Sequence, residues 1–189
     1  MIELAKKQSI NLNKGDKNLS HVRVCLGWQT PETVNGFEYD LDVTAFCLKD
    51  GRMLFEKSFV FYNNKTTPCG GLNYGGDDRK GSSDGSDCET IDVDLNKLDT
   101  SYDEVSFIVS IYDYEARKQN FGSCRNAYLR IVDIDSGDVI AMFRLNEDYK
   151  DSVSIQVGSL TKQNGEWSFT AVGVGYNKDL EDYLKVYWY

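Results

Sequence analysis

The stretch Val105-Ser106-Phe107-Ile108-Val109-Ser110-Ile111 places an apolar side chain at every second position. Because successive side chains of a β-strand point to opposite faces, this alternation predicts a strand with one face in a core. The same alternation recurs on both sides of it, in three further stretches: Leu41 to Cys47, Ile91 to Leu95 and Trp167 to Ala171. The sequence therefore predicts a protein built mainly of strands.

Further strands are predicted from apolar and β-branched content near residues 10–12, 22–27, 52–62, 125–133, 138–144 and 152–160. The pairs Asp50-Gly51, Ser136-Gly137 and Asn164-Gly165 lie between strands and are typical of hairpin turns. Together these signals predict an all-β fold, an antiparallel β-sandwich of about ten strands. No linker, repeat or break in composition divides the chain, so residues 1–189 are predicted to form one domain.

Two stretches depart from the strand pattern. Residues 115–120 are polar and suggest a short helix. After Tyr176, apolar side chains recur three or four residues apart, which predicts an amphipathic C-terminal helix. These side chains are Leu180, Tyr183, Leu184, Tyr187 and Trp188.

Composition excludes several classes of function. The chain has 21 Lys and Arg against 30 Asp and Glu, a net charge of -9. Nucleic acid is excluded as a partner, because binding it requires clustered Lys and Arg. The one histidine, His21, excludes a histidine-based metal cage. No nucleophile or acid–base pair stands out, and we expect a protein that is not an enzyme.

The five cysteines are odd in number, widely spaced and without a CxxC pair. This pattern favours free thiols in a reducing compartment over a disulfide framework or a zinc site. The polar residues at the start of the sequence do not resemble a signal peptide, and no apolar run approaches 18 residues. We therefore expect a cytoplasmic protein without stable membrane insertion.

One segment, Cys69 to Glu89, differs from the rest by its six glycines, three serines and five acids. It has almost no apolar residue, which predicts an exposed loop outside the core. Clustered carboxylates repel each other unless they are solvated or bind a cation. Hard divalent cations take six to eight oxygen ligands, and Ca²⁺ tolerates irregular loops. The loop therefore predicts a calcium site, although an EF-hand is excluded because Ser83 stands where that motif requires glycine.

A second acidic pair, Asp40 and Asp42, lies at the start of a predicted strand. Residues two apart on a strand share a face, roughly 6.5 Å from each other. Taken alone, the pair suggests solvated residues at a sheet edge; near the acidic loop, it suggests two further ligands of the same site. The predicted metal ligands are Asp40, Asp42, Asp77, Asp78, Asp84, Asp87 and Glu89.

At these residues the chain resembles the TerD family of tellurium-resistance and stress-response proteins. The resemblance runs from Ile10 to Tyr187, and many sequence blocks in the same order carry it. They are Leu26 to Trp28, Tyr39 to Asp42, Phe59 to Asn64, Gly76 to Gly81, Asp84 to Glu89, Gln119 to Gly122, Ala127 to Val132, Gly165 to Phe169 and Ala171 to Tyr176. One departure is Gln29 after Gly27-Trp28, where the family has an acid.

The resemblance implies a two-sheet sandwich that binds calcium through the Asp-x-Asp strand and the acidic loop. It also implies a role in resistance to tellurite and other chemical stress, exerted through other proteins of a stress-response assembly and not by catalysis. The alternative is a calcium-dependent membrane or glycan binder of the C2 or lectin kind. That alternative requires apolar or basic residues at the loop tip, where the sequence offers Leu72, Tyr74, Arg79 and Lys80.

Overall fold

The structure, a computed structural model, describes residues 1–13, 19–29, 33, 35–84, 86–145 and 149–188. Gly85 of the acidic loop and Tyr189 after the predicted helix lie outside this range. Within it there are twelve strands: β1 (Ile2–Glu3), β2 (Ser9–Asn11), β3 (His21–Gln29), β4 (Leu41–Leu48), β5 (Phe59–Val60), β6 (Leu72–Tyr74), β7 (Glu89–Asp94), β8 (Glu104–Ile111), β9 (Arg125–Asp133), β10 (Val139–Leu145), β11 (Ser154–Gln163) and β12 (Glu166–Tyr176). There are two short α-helices, α1 (Tyr114–Arg117) and α2 (Leu180–Trp188), and one turn of 3₁₀ helix at Phe121–Ser123.

The strands form two six-stranded sheets. Sheet one has the order β1-β10-β9-β3-β7-β6, and sheet two has the order β2-β12-β11-β8-β4-β5. Neighbouring strands are antiparallel except β1, which pairs with β10 in parallel at Ile2 and Glu3. The predicted all-β fold and the C-terminal helix are confirmed, with two more strands than the ten that the sequence suggested.

The core lies between the sheets and is built from the alternating side chains that predicted the strands. Val105, Phe107, Val109 and Ile111 of β8 are buried beside the Leu41 to Cys47 face of β4. Each fully buried side chain of this size contributes about 1.5–3 kcal/mol through removal from water. The apolar side chains at every second position of each strand are therefore those on the face that packs against the opposite sheet.

The outer face of β4 carries a second, smaller apolar cluster at its far end. Phe46 and Leu48 lie under α2, where Tyr183 is buried against them. The strand predicted near residues 52–62 is confirmed only at Phe59–Val60, which pair with β4. The Met53 amide donates to the Tyr187 carbonyl of α2 at 2.8 Å. The part of the chain around Met53 is therefore bonded to the helix and not to a strand.

The glycine-rich segment is not all loop. Leu72 and Tyr74 form β6, which pairs with β7 and buries both side chains. The prediction that the whole of Cys69 to Glu89 stays outside the core was therefore wrong for its first third. The tight approach of Gly71 to Leu98 and of Gly75 to Thr90 leaves no room for a side chain at these glycines. Glycine is thus needed at these two positions because the backbone packs closely against neighbouring residues.

All five cysteines are free thiols, and Cys25 and Cys47 are buried in strands. Neither helix in the described part of the chain has the length and apolar character that crossing a membrane requires.

Candidate metal centre

Three carboxylates from three separate segments meet at one end of the sandwich. Asp42 comes from β4, Glu89 from the first residue of β7, and Asp77 from the loop between β6 and β7. One oxygen of each lies within 4.8 Å of the others, close enough for a single cation to contact all three. Asp42 and Glu89 are buried, whereas Asp77 faces solvent.

Glu89 connects the two sheets at this point. Its Oε2 accepts a hydrogen bond of 2.8 Å from the backbone amide of Val43 in β4. Strand β5 pairs only with Ala45 and Phe46, so it does not extend along β4 as far as Val43. The short partner strand thus leaves an amide available, and the carboxylate of the other sheet satisfies it.

The second oxygen of Glu89 is the unusual atom of the cluster. Glu89 has no exposed surface, and its Oε1 finds no hydrogen-bond partner of normal geometry in the described part of the chain. The buried Tyr74 hydroxyl, which also has no such partner, lies close enough to affect the pKa of Glu89. Leaving a buried acceptor unsatisfied costs about 1–3 kcal/mol, and more when the group is charged. A buried carboxylate oxygen without a partner, beside two other carboxylates, is the arrangement that a bound cation would satisfy.

The cluster is electrostatically strained without a cation. Burial raises the pKa of Glu89 to about 9, although hydrogen bonding by Tyr74 and by the Val43 amide acts in the opposite direction. The neighbouring carboxylates of Asp42 and Asp77 raise it further. Burial, followed by Asp40 and Asp77, raises the pKa of Asp42 to about 7. Proximity of like charges and desolvation both disfavour the ionised form. A divalent cation would reverse both effects, since it stabilises the deprotonated carboxylates.

Asp40 lies just before β4 and is also buried, with its pKa raised by burial. Its Oδ2 is 3.5 Å from a guanidinium nitrogen of Arg117, at the end of α1. Asp77 has a similar neighbour, since its Oδ2 is 3.4 Å from Arg79. Arginine side chains thus compensate part of the negative charge around the cluster.

The other three acids of the predicted set point elsewhere. Asp78 accepts from the amides of Lys80 and Gly81, and Asp84 accepts from the amide of Ser86. Asp87 forms an ion pair with Arg130 and accepts a hydrogen bond of 3.0 Å from Tyr128, both on β9. Of the seven predicted ligands, the structure therefore brings together Asp42, Asp77 and Glu89, with Asp40 beside them.

The loop is held against the end of β3. The Ser82 amide donates to the Trp28 carbonyl at 3.1 Å, and the Cys88 amide donates to the Leu26 carbonyl at 2.8 Å. Gly81 has a φ of +73°, and a side chain there would lie 2.5 Å from the Trp28 indole nitrogen. Glycine is required at this position because both conformation and space exclude other residues.

The sequence did not identify the residues around the cluster's open side. Asp40, Asp42 and Asp77 line a cavity of about 520 Å³, which is also lined by Phe37, Tyr62, Arg79, Lys80, Tyr112 and Arg117. These residues come from segments far apart in sequence and show no common pattern. Only the Asp-x-Asp spacing and the acidic loop gave a local signal.

The donor set fits a hard cation. Asp42, Asp77 and Glu89 offer only oxygen ligands, which suit Ca²⁺. Zinc sites usually contain Cys or His ligands, and this set has neither. The partnerless Glu89 Oε1 supplies an observation beyond clustered charge. Asp40, also a predicted ligand, lines the same cavity as Asp42 and Asp77.

Comparison with known proteins finds relatives that match this chain over most of their length. The TerD domain model matches residues 1–187. General stress protein 16U of Bacillus subtilis (strain 168) is 38% identical over 95% of this chain and 93% of that protein. Tellurium resistance protein TerD of Serratia marcescens is 36% identical over 93% of this chain and 91% of that protein.

The fold agrees with a solved structure. The crystal structure of a homologue of telluride resistance protein (TerD) from Streptomyces coelicolor A3(2) superimposes with a TM-score of 0.73. It covers 88% of this chain and 95% of that one at 19% identity, so it supports the fold alone. The sequence matches show more than the fold: the chain belongs to the TerD family.

Proposed function

We propose that this protein is a calcium-binding module of a cytoplasmic response to tellurite and other chemical stress. It acts through other proteins of a stress-response assembly and not by catalysis. The relatives named for tellurium resistance and general stress support the biological setting. The buried, partnerless Oε1 of Glu89 beside Asp42 and Asp77 supports the metal.

Calcium is preferred to magnesium on coordination grounds. Mg²⁺ requires a near-ideal octahedron and keeps several waters, whereas Ca²⁺ accepts six to eight oxygens in irregular geometry. Two of the three carboxylates come from strands, and Asp77 comes from an irregular glycine-containing loop. Such a mixed donor set suits the larger, more tolerant ion.

Titration of chelator-stripped protein with calcium tests the proposal directly. Binding to the folded state alone raises stability by mass action, about 2.7 kcal/mol at 100 times the dissociation constant. We expect calcium to raise the melting temperature, and magnesium at equal concentration to raise it less. An unchanged melting temperature in millimolar calcium, with no calorimetric heat, would remove calcium from the proposal.

Paired variants locate the site. Asp42→Asn and Asp77→Asn each remove one of the clustered carboxylates and keep the side-chain shape, so both are expected to weaken calcium binding about tenfold or more. Asp84→Asn is the matched control, because Asp84 belongs to the same loop but accepts from Ser86. Equal affinity in Asp42→Asn and Asp84→Asn would place calcium elsewhere.

The non-catalytic part of the proposal rests on the chemistry of the side chains. Burial raises the pKa of the Cys88 thiol and raises that of Cys124 to about 12, so neither is an activated nucleophile. We expect no turnover of phosphate esters, glycosides or tellurite by the purified protein with calcium present. Tellurite reduction that disappears in Cys88→Ser or Asp77→Ala would instead indicate redox catalysis.

The membrane-binding alternative depends on four loop residues, and two of them are not available at the surface. Leu72 and Tyr74 are buried in β6, so only Arg79 and Lys80 of that set remain exposed. Calcium-dependent lipid binding of the C2 kind uses apolar or basic residues at the loop tip, and here only the two basic residues remain exposed. The proposal therefore keeps protein partners as the mode of action.

A further inference from the structure

The cavity above the carboxylate cluster has an unusual distribution of charge. Its lining carries four acids, Glu38, Asp40, Asp42 and Asp77, and three cationic side chains, Arg79, Lys80 and Arg117. Lys80 lies 3.8 Å from Glu38. A site for a cation alone needs no positive side chains, and each of them opposes the binding of calcium. The three cations pair loosely with acids of the same cavity, and a bound calcium would leave them an excess of positive charge that a second, anionic ligand can balance.

Arg117 is held in the cavity by its surroundings. Its guanidinium carbon lies 5.0 Å from the ring centre of Tyr112 and 5.9 Å from that of Phe37. Gln119 fixes the backbone beside this ring, because its side-chain amide donates to the Phe37 and Glu38 carbonyls at 3.3 and 3.2 Å. Arg117 is only 19% exposed, so its charge is directed into a partly dry space.

Each of the two arginines has a carboxylate partner in the cavity, at a long distance. Arg117 is 3.5 Å from Asp40, and Arg79 is 3.4 Å from Asp77, both longer than a strong charge-assisted hydrogen bond. A divalent cation at the cluster competes for these same carboxylates. Once they turn to the ion, the two guanidiniums lose their compensation and can pair with another anion.

From this arrangement we infer that the cavity binds a small organic phosphate monoester, held jointly by the bound calcium and by Arg117 and Arg79. This inference rests on the proposed calcium site and names the ligand of that same site. The planar guanidinium fork matches a phosphate with two parallel hydrogen bonds. Metal binding switches the arginines from carboxylate to ligand, so phosphate binding depends on calcium.

The remaining space indicates an organic ester in preference to free phosphate. The cavity volume is about 520 Å³, more than one phosphate group fills, and Phe37, Tyr62 and Tyr112 line it. Aromatic walls next to a cationic end suit a ligand with a planar or apolar part attached to its phosphate. Adenosine monophosphate has both parts and serves as the probe.

Calorimetric titration tests the inference in two stages on the full chain. The first stage measures calcium binding, and the second adds adenosine monophosphate to calcium-saturated or chelator-treated protein. We expect binding with calcium that weakens at least about tenfold in chelator. Adenosine and inorganic phosphate are expected to bind more weakly than the monophosphate, because each lacks one of the two recognised parts.

Arginine variants provide the decisive comparison. Arg117→Met and the exposed Arg79→Gln are each expected to weaken nucleotide binding about tenfold or more, while calcium binds at least as tightly as before. Arg23→Met is the control, because Arg23 pairs with Asp92 outside this cavity. Arg79 is 76% exposed, so its replacement tests the inference even if Arg117→Met does not fold.

The outcomes separate the two proposals. Calcium binding without any nucleotide binding overturns this inference and leaves the calcium module intact. Nucleotide binding that is equal with and without calcium, or unchanged in Arg79→Gln, also overturns it. Adenosine binding as tight as the monophosphate would contradict phosphate recognition. If calcium itself does not bind, both proposals fail.

Discussion

Two groups of acids in one short stretch of chain have opposite environments. Glu89, with Asp42 opposite it, is buried, and burial raises the pKa of both. Asp84 and Asp87 lie on the outer side of the same loop. There a backbone amide lowers the pKa of Asp84, and Arg130 pairs with Asp87.

The difference shows that a carboxylate's role depends on what compensates it. The outer acids are satisfied by the protein itself and stabilise the shape of the loop. The inner acids are compensated less completely, since Glu89 Oε2 accepts from the Val43 amide but Glu89 Oε1 has no hydrogen-bond partner among the described residues. An uncompensated buried carboxylate is costly unless something outside the chain supplies the charge. The inner group is therefore the part of the loop that a cation would stabilise.

The largest effect is expected from Glu89→Gln. The variant keeps an oxygen for the Val43 amide but removes the charge, so calcium affinity should fall on the order of 100-fold, the upper range for a contact with a charged group. The loss should exceed that of Asp77→Asn, because Asp77 is partly exposed and already has Arg79 beside it. Calorimetry measures both. A smaller loss in Glu89→Gln than in Asp77→Asn would contradict the importance of the buried oxygen.

The pH dependence of stability should distinguish the two groups next. The folded state holds the Glu89 proton up to a pKa of about 9, and that of Asp42 up to about 7, while the unfolded chain releases them near 4.5 and 3.8. Between these values the folded state binds more protons, so the free energy of unfolding falls as pH rises. The melting temperature of metal-free protein should therefore decrease from about pH 5 to about pH 9.

Two controls check that the decrease of the melting temperature with pH comes from Glu89 and Asp42. Glu89→Gln should flatten the decrease, because its side chain does not titrate. Calcium should also flatten it, because the ion replaces the protons, and its affinity should rise over the same pH range. Thermal unfolding monitored at several pH values measures both. A decrease of the same size in Glu89→Gln would assign it to other groups.

A smaller effect is expected where the loop contacts the sandwich. Gly81→Ala requires a φ of +73° and places a methyl group against Trp28, which should cost about 1–3 kcal/mol. Gly76→Ala is the matched control, since a side chain there meets nothing within 4 Å. Chemical denaturation gives both values. Equal stability of the two variants would show that the loop is not fixed at Gly81.

The smallest effect is expected from Asp87→Asn. Its ion pair with Arg130 is partly exposed, and pairs of this kind contribute about 0–1 kcal/mol. Calcium affinity should change by less than about threefold, since Asp87 faces β9 and not the cluster. A loss as large as that of Asp42→Asn would bring Asp87 into the metal site and erase the contrast between the two groups.

The strands could be predicted because burial of one face of a strand places an apolar residue at every second position of the sequence. Near residues 52–62 the prediction was right only at Phe59–Val60, because apolar side chains such as Met53 are buried under α2 and not in a sheet. It also missed β6, where Leu72 and Tyr74 are two buried residues among glycines and acids. Local composition cannot distinguish these cases, because the helix and the strand that bury them are distant in sequence.

The sequence by itself determined the sandwich, the C-terminal helix and the presence of acids suited to a hard cation, since alternation and charge are local properties. Only the tertiary structure separated the seven acids. It brought Asp42, Asp77 and Glu89 together from three segments, and it gave Asp78, Asp84 and Asp87 partners of their own. It also placed Arg117 beside Asp40 across 77 positions of the chain. The physical reason is that compensation of a charge depends on distance and burial, which sequence spacing does not specify.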